Sequence, residues 1–235
     1  MKTKKQTTTF PTICNLCGKS DTSFITEQNS FKVVECNLCG FVYVNPRPKA
    51  TAMKDFYTDY HRNRIGDPLM WKPYMQKVFT KSASLLDKLC PQKGRLLDIG
   101  CGYGFFIEEA TKRGWDASGI DLSEECVAFA KERGQKAELA LPEDIKEKNS
   151  YDAITMFYVL EHLPDPLATL RTVKKLLKPG GVLLLRVPHT TPIVKLLKPM
   201  KIKNNLFDPP FHLCDFSPET TKKILKKAGF SHSKT

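Results

Sequence analysis

The sequence predicts an α/β protein: a doubly wound parallel sheet with helices on both faces, preceded by a small cysteine-built module. Three observations carry that expectation. From about residue 95 short apolar runs alternate with stretches of helical period, as right-handed strand–helix–strand crossovers require. The first run, Arg95-Leu96-Leu97-Asp98-Ile99, opens into Gly100-Cys101-Gly102-Tyr103-Gly104, and the second ends at Gly119-Ile120-Asp121. Near the start, Cys14-Asn15-Leu16-Cys17-Gly18 and Cys36-Asn37-Leu38-Cys39-Gly40 repeat one another.

Taken in order, residues 1–12 read as a solvated tail, because Met1-Lys2-Thr3-Lys4-Lys5-Gln6 is basic and no apolar signal segment follows. Residues 13–48 form the cysteine module. Eighteen residues separate Cys17 from Cys36, a spacing that suits one zinc ion on Cys14, Cys17, Cys36 and Cys39. Four thiolates saturate a tetrahedral ion, so the expected site is structural, and metal binding supplies its folding free energy. Phe24-Ile25, Phe31 to Val34 and Phe41 to Val44 read as its strands, and Asn45-Pro46-Arg47-Pro48 as a stiff connector. Residues 49–92 read as a helical lead-in: a helix over about 50–60, a loop over 61–72, and a helix from about Pro73 to Leu89.

The core expectation covers 93–235. Strands fall at 95–99, 116–121, about 136–140, 152–157 and 182–187. Helices fall at 104–113, at 123–133 with Ser123 as cap, at about 166–177, and at 218–228 between Ser217-Pro218 and Gly229. Val182-Leu183-Leu184-Leu185 suits a buried parallel strand, and 188–216 is a long insertion of the kind that is usually functional. Ligands of such sheets sit beyond the strands' carboxyl ends. That gathers Gly100–Gly104, Asp121, Leu141-Pro142 and Met156–His162 around one crevice. A helix N-terminus after close-approach glycines favours an anionic group such as a carboxylate. Asp121 stands about 20 residues on, where such folds place a ribose ligand.

As a set, these motifs, with Glu161-His162-Leu163-Pro164 and Leu177-Lys178-Pro179-Gly180-Gly181, resemble the class I S-adenosylmethionine-dependent methyltransferases from about Leu96 to Phe230. The resemblance implies a Rossmann-like core that binds S-adenosylmethionine. In it Gly100, Cys101, Gly102 and Gly104 hold the methionine part and Asp98 orients the amino group through the loop. Asp121 takes the ribose hydroxyls, Leu122 and Leu141 sandwich the adenine, and Phe157 or Tyr158 lines the methionine side. His162 and His212 are the expected acceptor-side bases, with Glu161 orienting His162 or facing the cofactor. Tyr57, Tyr60 and His61 of the lead-in could reach the site, and the 188–216 insertion walls the acceptor pocket. The family's C-terminal hairpin has no counterpart in Ser231-His232-Ser233-Lys234-Thr235, so an uncovered edge beside the last strand is expected, and activity is in doubt.

The acceptor that the resemblance implies is a small molecule, phosphorylated or nucleotide-linked, such as a sugar or a secondary-metabolite precursor methylated on carbon or oxygen. Two other readings stay open. One is an RNA methyltransferase gripping phosphates with the cysteine module and the C-terminal lysines. The other is a truncated, non-catalytic module that binds S-adenosylmethionine or a protein. Residues 164–235 hold 14 Lys+Arg against 4 Asp+Glu, most of the overall +12. Such a face suits phosphate-bearing partners or simple solvation, and it lacks the aromatic interleaving of a single-strand groove. No apolar run approaches the roughly 20 residues of a membrane span. The cysteine usage points to the cytoplasm.

Overall fold

The computed structural model describes residues 9–49 and 67–234. The helix expected over 50–60, with Tyr57, Tyr60 and His61, lies outside the described residues. The strands are β1 (Thr9–Phe10), β2 (Thr22–Gln28), β3 (Phe31–Cys36), β4 (Val42–Val44), β5 (Arg47–Pro48), β6 (Arg95–Ile99), β7 (Asp116–Asp121), β8 (Ala137–Leu139), β9 (Tyr151–Phe157), β10 (Leu177–Arg186) and β11 (Cys214–Asp215). The helices are α1 (Pro68–Leu89), α2 (Phe105–Lys112), α3 (Glu124–Glu132), α4 (Pro166–Leu176), α5 (Thr191–Leu197) and α6 (Pro218–Ala228). Two units emerge. One comprises Asp59–Val159 and Ala168–Arg186, the other Met1–Thr58, Leu160–Leu167 and Val187–Thr235.

The first unit holds a five-stranded sheet of order β10-β9-β6-β7-β8, parallel throughout. From β6 the chain winds outward through β7 to β8, then restarts at β9 and winds the other way to β10. Right-handed crossovers in opposite directions put their helices on opposite faces, which is the doubly wound Rossmann-like arrangement. On one face α1, α2 and α3 bury Phe79, Leu86, Phe106, Ile107 and Ala130 with Leu96, Ala117, Ala153 and Phe157 of the strands. Leu97, Ile99, Ile154 and Met156 alternate onto the other face and are equally buried. Helix α3 starts as its sequence predicts, with Ser123 Oγ accepting from Cys126 N at 3.2 Å.

Two expectations are corrected here. Residues 68–72 are helix rather than loop, because Asp67 Oδ1 accepts from Leu69 N at 2.8 Å and Pro68 follows at the first helical position. Strand β10 begins at Leu177, and Leu183, Leu184 and Leu185 are half-buried rather than enclosed. Leu177 pairs with Tyr151 and Val182 with Ala153, so Lys178–Gly181 bulges out between them. β9 is the single partner of β10 among the described residues, which makes β10 an edge.

The second unit is built on an antiparallel sheet of order β11-β4-β3-β2, with β1 and β5 paired beside it. Asn29 and Ser30 both take positive φ, 50° and 66°, which matches the tight two-residue connection of a β2–β3 hairpin. The connector Arg47-Pro48 is a buried strand, with Arg47 2% exposed. Strand β11 comes from the 188–216 insertion and joins β4 through Cys214↔Tyr43 and Asp215↔Val42. Helix α6 is capped at one end by the reciprocal Ser217–Thr220 pair and at the other by Gly229 in the left-handed region.

Candidate functional site

The glycine turn follows β6 at the point where the strand order reverses, the usual ligand crevice of an open α/β sheet. Gly100 stands at φ +70°, and a Cβ there would come within 2.3 Å of Val159 Cγ2. Gly100 and Cys101 both donate to Ile120 O, at 2.8 and 3.0 Å, which ties the turn to β7. Gly102, at φ +51°, has nothing within 4 Å of its would-be Cβ, so the turn is open on that side.

Two aspartates frame the turn. Asp121 Oδ2 accepts from Gly102 N and Oδ1 from Ser123 N, each at 2.8 Å. Asp98 is 2% exposed and accepts from Thr155 Oγ1 at 2.6 Å. Burial, and secondarily the charge of Asp121, push its carboxyl up to about 7. Cys101 contributes backbone to the turn, while its buried thiol packs where a Cβ on Gly119 would lie 2.6 Å from its own Cβ. Leu122 and Leu141 are exposed apolar side chains at the ends of β7 and β8. The two aromatic residues after β9 divide. The Phe157 ring is buried, 5.3 Å from Phe79 and 4.7 Å from Phe106 between centroids. Tyr158, at φ +58°, is half-buried with its hydroxyl accepting from Arg186 Nε. Sequence reasoning overlooked Thr155, Gly119 and Val159, whose roles depend on neighbouring strands.

In the other unit the four predicted cysteines converge. Their sulfurs lie within 4.8 Å of one another, with Cys14–Cys39 at 3.5 Å and Cys17–Cys36 at 3.4 Å. Each knuckle closes through its glycine, with Gly18 N donating to Cys14 O at 2.8 Å and Gly40 N to Cys36 O at 2.9 Å. Sulfurs each about 2.3 Å from one ion would stand roughly 3.8 Å apart in a tetrahedron, so the donor set fits zinc.

His162 and His212 are brought together, ring centroids 4.8 Å apart and nearly edge to face at 75°. His162 Nδ1 lies 2.9 Å from Phe211 O. A carbonyl only accepts, so Nδ1 carries the proton of that bond. Glu161 is 0% exposed, and neither carboxylate oxygen has a hydrogen-bond partner among the described residues. Burial, then the charge of Asp215, push this carboxyl up to about 8. Leu213 N donates to Glu161 O at 2.7 Å. The turn is held from the cysteine module too: Asn15, between Cys14 and Cys17, donates to Pro164 O at 3.3 Å, as does Arg47.

Comparison with known proteins completes the assignment. A family model described as a methyltransferase domain matches residues 71–233. A ubiquinone biosynthesis O-methyltransferase of Xanthomonas campestris pv. campestris (strain B100) is 38% identical over 163 residues, covering 63% of this chain and 68% of that protein. One of the same name from Xanthomonas oryzae pv. oryzae (strain PXO99A) is 38% identical over 106 residues, 42% of this chain and 44% of that protein. The chain thus spans less than half the length of the latter. Among solved structures, an S-adenosylmethionine-dependent methyltransferase of Thermotoga maritima superimposes with a TM-score of 0.56 at 20% identity, over 73% of this chain and 80% of that one. That likeness shows the fold. The glycine turn between its two aspartates, the doubly wound sheet and the family match agree: the chain belongs to the class I S-adenosylmethionine-dependent methyltransferases.

Proposed function

We propose that this chain transfers a methyl group from S-adenosylmethionine to carbon or oxygen of a small-molecule acceptor, a nucleotide-linked sugar or related metabolite precursor. The observation that carries the reading is the glycine turn, open at Gly102 and flanked by Asp98 and Asp121 at the sheet's switch point. The bound donor supplies an electrophilic methyl group on a sulfonium centre. The residues' task is alignment for in-line displacement. The turn's backbone accommodates the donor's methionine part, Asp98 meets its ammonium and Asp121 its ribose. Leu122 and Leu141 cover the base, and Tyr158 rather than the buried Phe157 lines the sulfur side.

Proton removal from the acceptor falls to His162 and His212. The pairing of the two rings, 4.8 Å apart between centroids, and the hold of Phe211 O on His162 Nδ1 support this. Zinc on the four cysteines is structural, and a thiolate site of this kind suits the reducing cytoplasm. No described helix is long and apolar enough to cross a membrane. The relatives' names favour a small acceptor, and the basic C-terminal third suits a phosphorylated one.

A transfer assay with tritiated methyl donor, run on zinc-loaded protein against nucleotide sugars, phenolic metabolites and pooled RNA, tests this. Label should enter a small-molecule pool; label in RNA, or in none with no donor binding by calorimetry, overturns it. His162→Ala should retain donor affinity and lose on the order of 10²–10⁴ in turnover.

A further inference from the structure

We infer that Glu161, His162 and His212 form a second metal site, distinct from the cysteine cluster, for a divalent cation that prefers nitrogen and oxygen ligands. One ligand atom from each of the three lies within 4.8 Å of the others. Ligands about 2.1 Å from a shared ion stand roughly 3–4.2 Å apart, so closure needs only small side-chain movement. Two imidazoles and one carboxylate leave further coordination positions open.

Three features mark the cluster as built rather than incidental. Glu161 is fully buried, yet neither oxygen has a hydrogen-bond partner and no lysine or arginine pairs with it among the described residues. Leaving a buried acceptor unmatched costs about 1–3 kcal/mol, and more for a charge; a cation between it and the imidazoles satisfies it. The ring of His162 is oriented as metal-bound histidines are, with Nδ1 on the Phe211 carbonyl at 2.9 Å. Finally, three consecutive residues clasp the turn. Phe211 O holds His162, His212 supplies a ligand, and Leu213 N holds Glu161 O at 2.7 Å. Two segments some 50 residues apart in sequence are thereby fixed with their ligand atoms converging.

The site is chemically separate from the thiolates. Soft sulfur ligands select zinc, whereas a carboxylate with two imidazoles accepts manganese, cobalt or zinc. Binding of the ion stands without the proposed function. Only its consequence rests on that reading: with the ion bound the two imidazoles are ligands rather than bases, and an acceptor oxygen at an open position would instead be acidified by the ion.

The test is a Mn²⁺ titration of full-length, zinc-loaded protein, followed by loss of the free-ion electron paramagnetic resonance signal. One Mn²⁺ per chain should bind, and Glu161→Gln and His212→Ala should each weaken it at least about tenfold. Zinc content and far-ultraviolet circular dichroism, measured on each variant, should stay at wild-type values; should Glu161→Gln misfold, His212→Ala decides. The inference is overturned if the wild type takes up neither Mn²⁺ nor a second equivalent of Co²⁺, or if the folded variants bind Mn²⁺ as the wild type does. Because no methyl donor is present, a failed transfer assay leaves this result intact, and the reverse also holds.

Discussion

The glycine turn takes its supports from one stretch of chain: Asp98, Gly119, Ile120, Asp121, Thr155 and Val159 all belong to the parallel-sheet unit. The Glu161–His162–His212 cluster does not. It is held by Asn15 and Arg47 from the cysteine module, by its own turn, and by Phe211–Leu213 ahead of β11. The first site depends on ordinary strand pairing. The second stands on a small sheet whose knuckles are closed by four sulfurs, so its geometry depends on an ion far from it in sequence. Donor binding at the turn and the chemistry proposed for the cluster should therefore respond to different insults.

Removing the ion tests that difference most severely. Structural zinc sites contribute on the order of 10–16 kcal/mol to folding of their modules. Cys36→Ser, or chelation, should melt the β2-β3-β4-β11 sheet and release the 160–164 turn with it. Turnover should fall at least about a hundredfold while calorimetric affinity for S-adenosylmethionine changes by less than about threefold. Parallel loss of both would erase the contrast between the units.

The converse variant is Gly100→Ala. The new Cβ would lie 2.3 Å from Val159 Cγ2 at a backbone φ of +70°, and left-handed geometry alone costs a side chain roughly 1–2 kcal/mol. Donor affinity should drop on the order of a hundredfold with zinc content unchanged, measured by calorimetry and metal analysis. Wild-type affinity would mean the turn is less constrained than its contacts indicate.

The same contrast governs what could be read from the chain alone. The strand–turn–helix around Gly100, the acid ending β7, the cap at Ser123 and the twin knuckles are local, and each has the predicted bounds within a residue or two. Strand β11 was not legible. Two residues of Cys214-Asp215 carry no period, and their strand character comes from β4, some 170 positions earlier. Arg47 likewise looks like part of a stiff connector until β1 and β11 enclose it. The partial burial of Leu183, Leu184 and Leu185 was hidden because an apolar run gives no sign of which strand is an edge.

Asp215 offers a gentler probe of the composite unit. It is 4% exposed and accepts from Thr190 N and Oγ1, both at 2.8 Å, and from Thr191 N at 3.1 Å and Oγ1 at 2.6 Å. One carboxylate from β11 thus anchors the start of α5. Asp215→Ala strands those donors and should cost about 2–4 kcal/mol. Urea denaturation of the zinc-loaded protein would read this as a lowered midpoint, with Asp215→Asn in between. A midpoint equal to wild type would make the four bonds incidental.

The smallest expected effect concerns Asp98, and it belongs to the glycine-turn unit alone. Burial, and then the charge of Asp121, raise its carboxyl to about 7. The folded protein without donor therefore holds a proton there that the unfolded chain releases near 4. Between those values folding is favoured by acid, and this contribution is lost as pH rises through about 7. The donor cation proposed to lie near Asp98 would reverse the preference, because the ionised carboxylate would then have a partner. Affinity for S-adenosylmethionine should accordingly rise from pH 6 toward 8, by at most about tenfold per unit below the titration point, and level off above it. Asp98→Asn cannot titrate and should flatten that slope while leaving the zinc-dependent unit untouched. Calorimetry across the pH range on both proteins decides: a slope that persists in Asp98→Asn assigns the proton elsewhere.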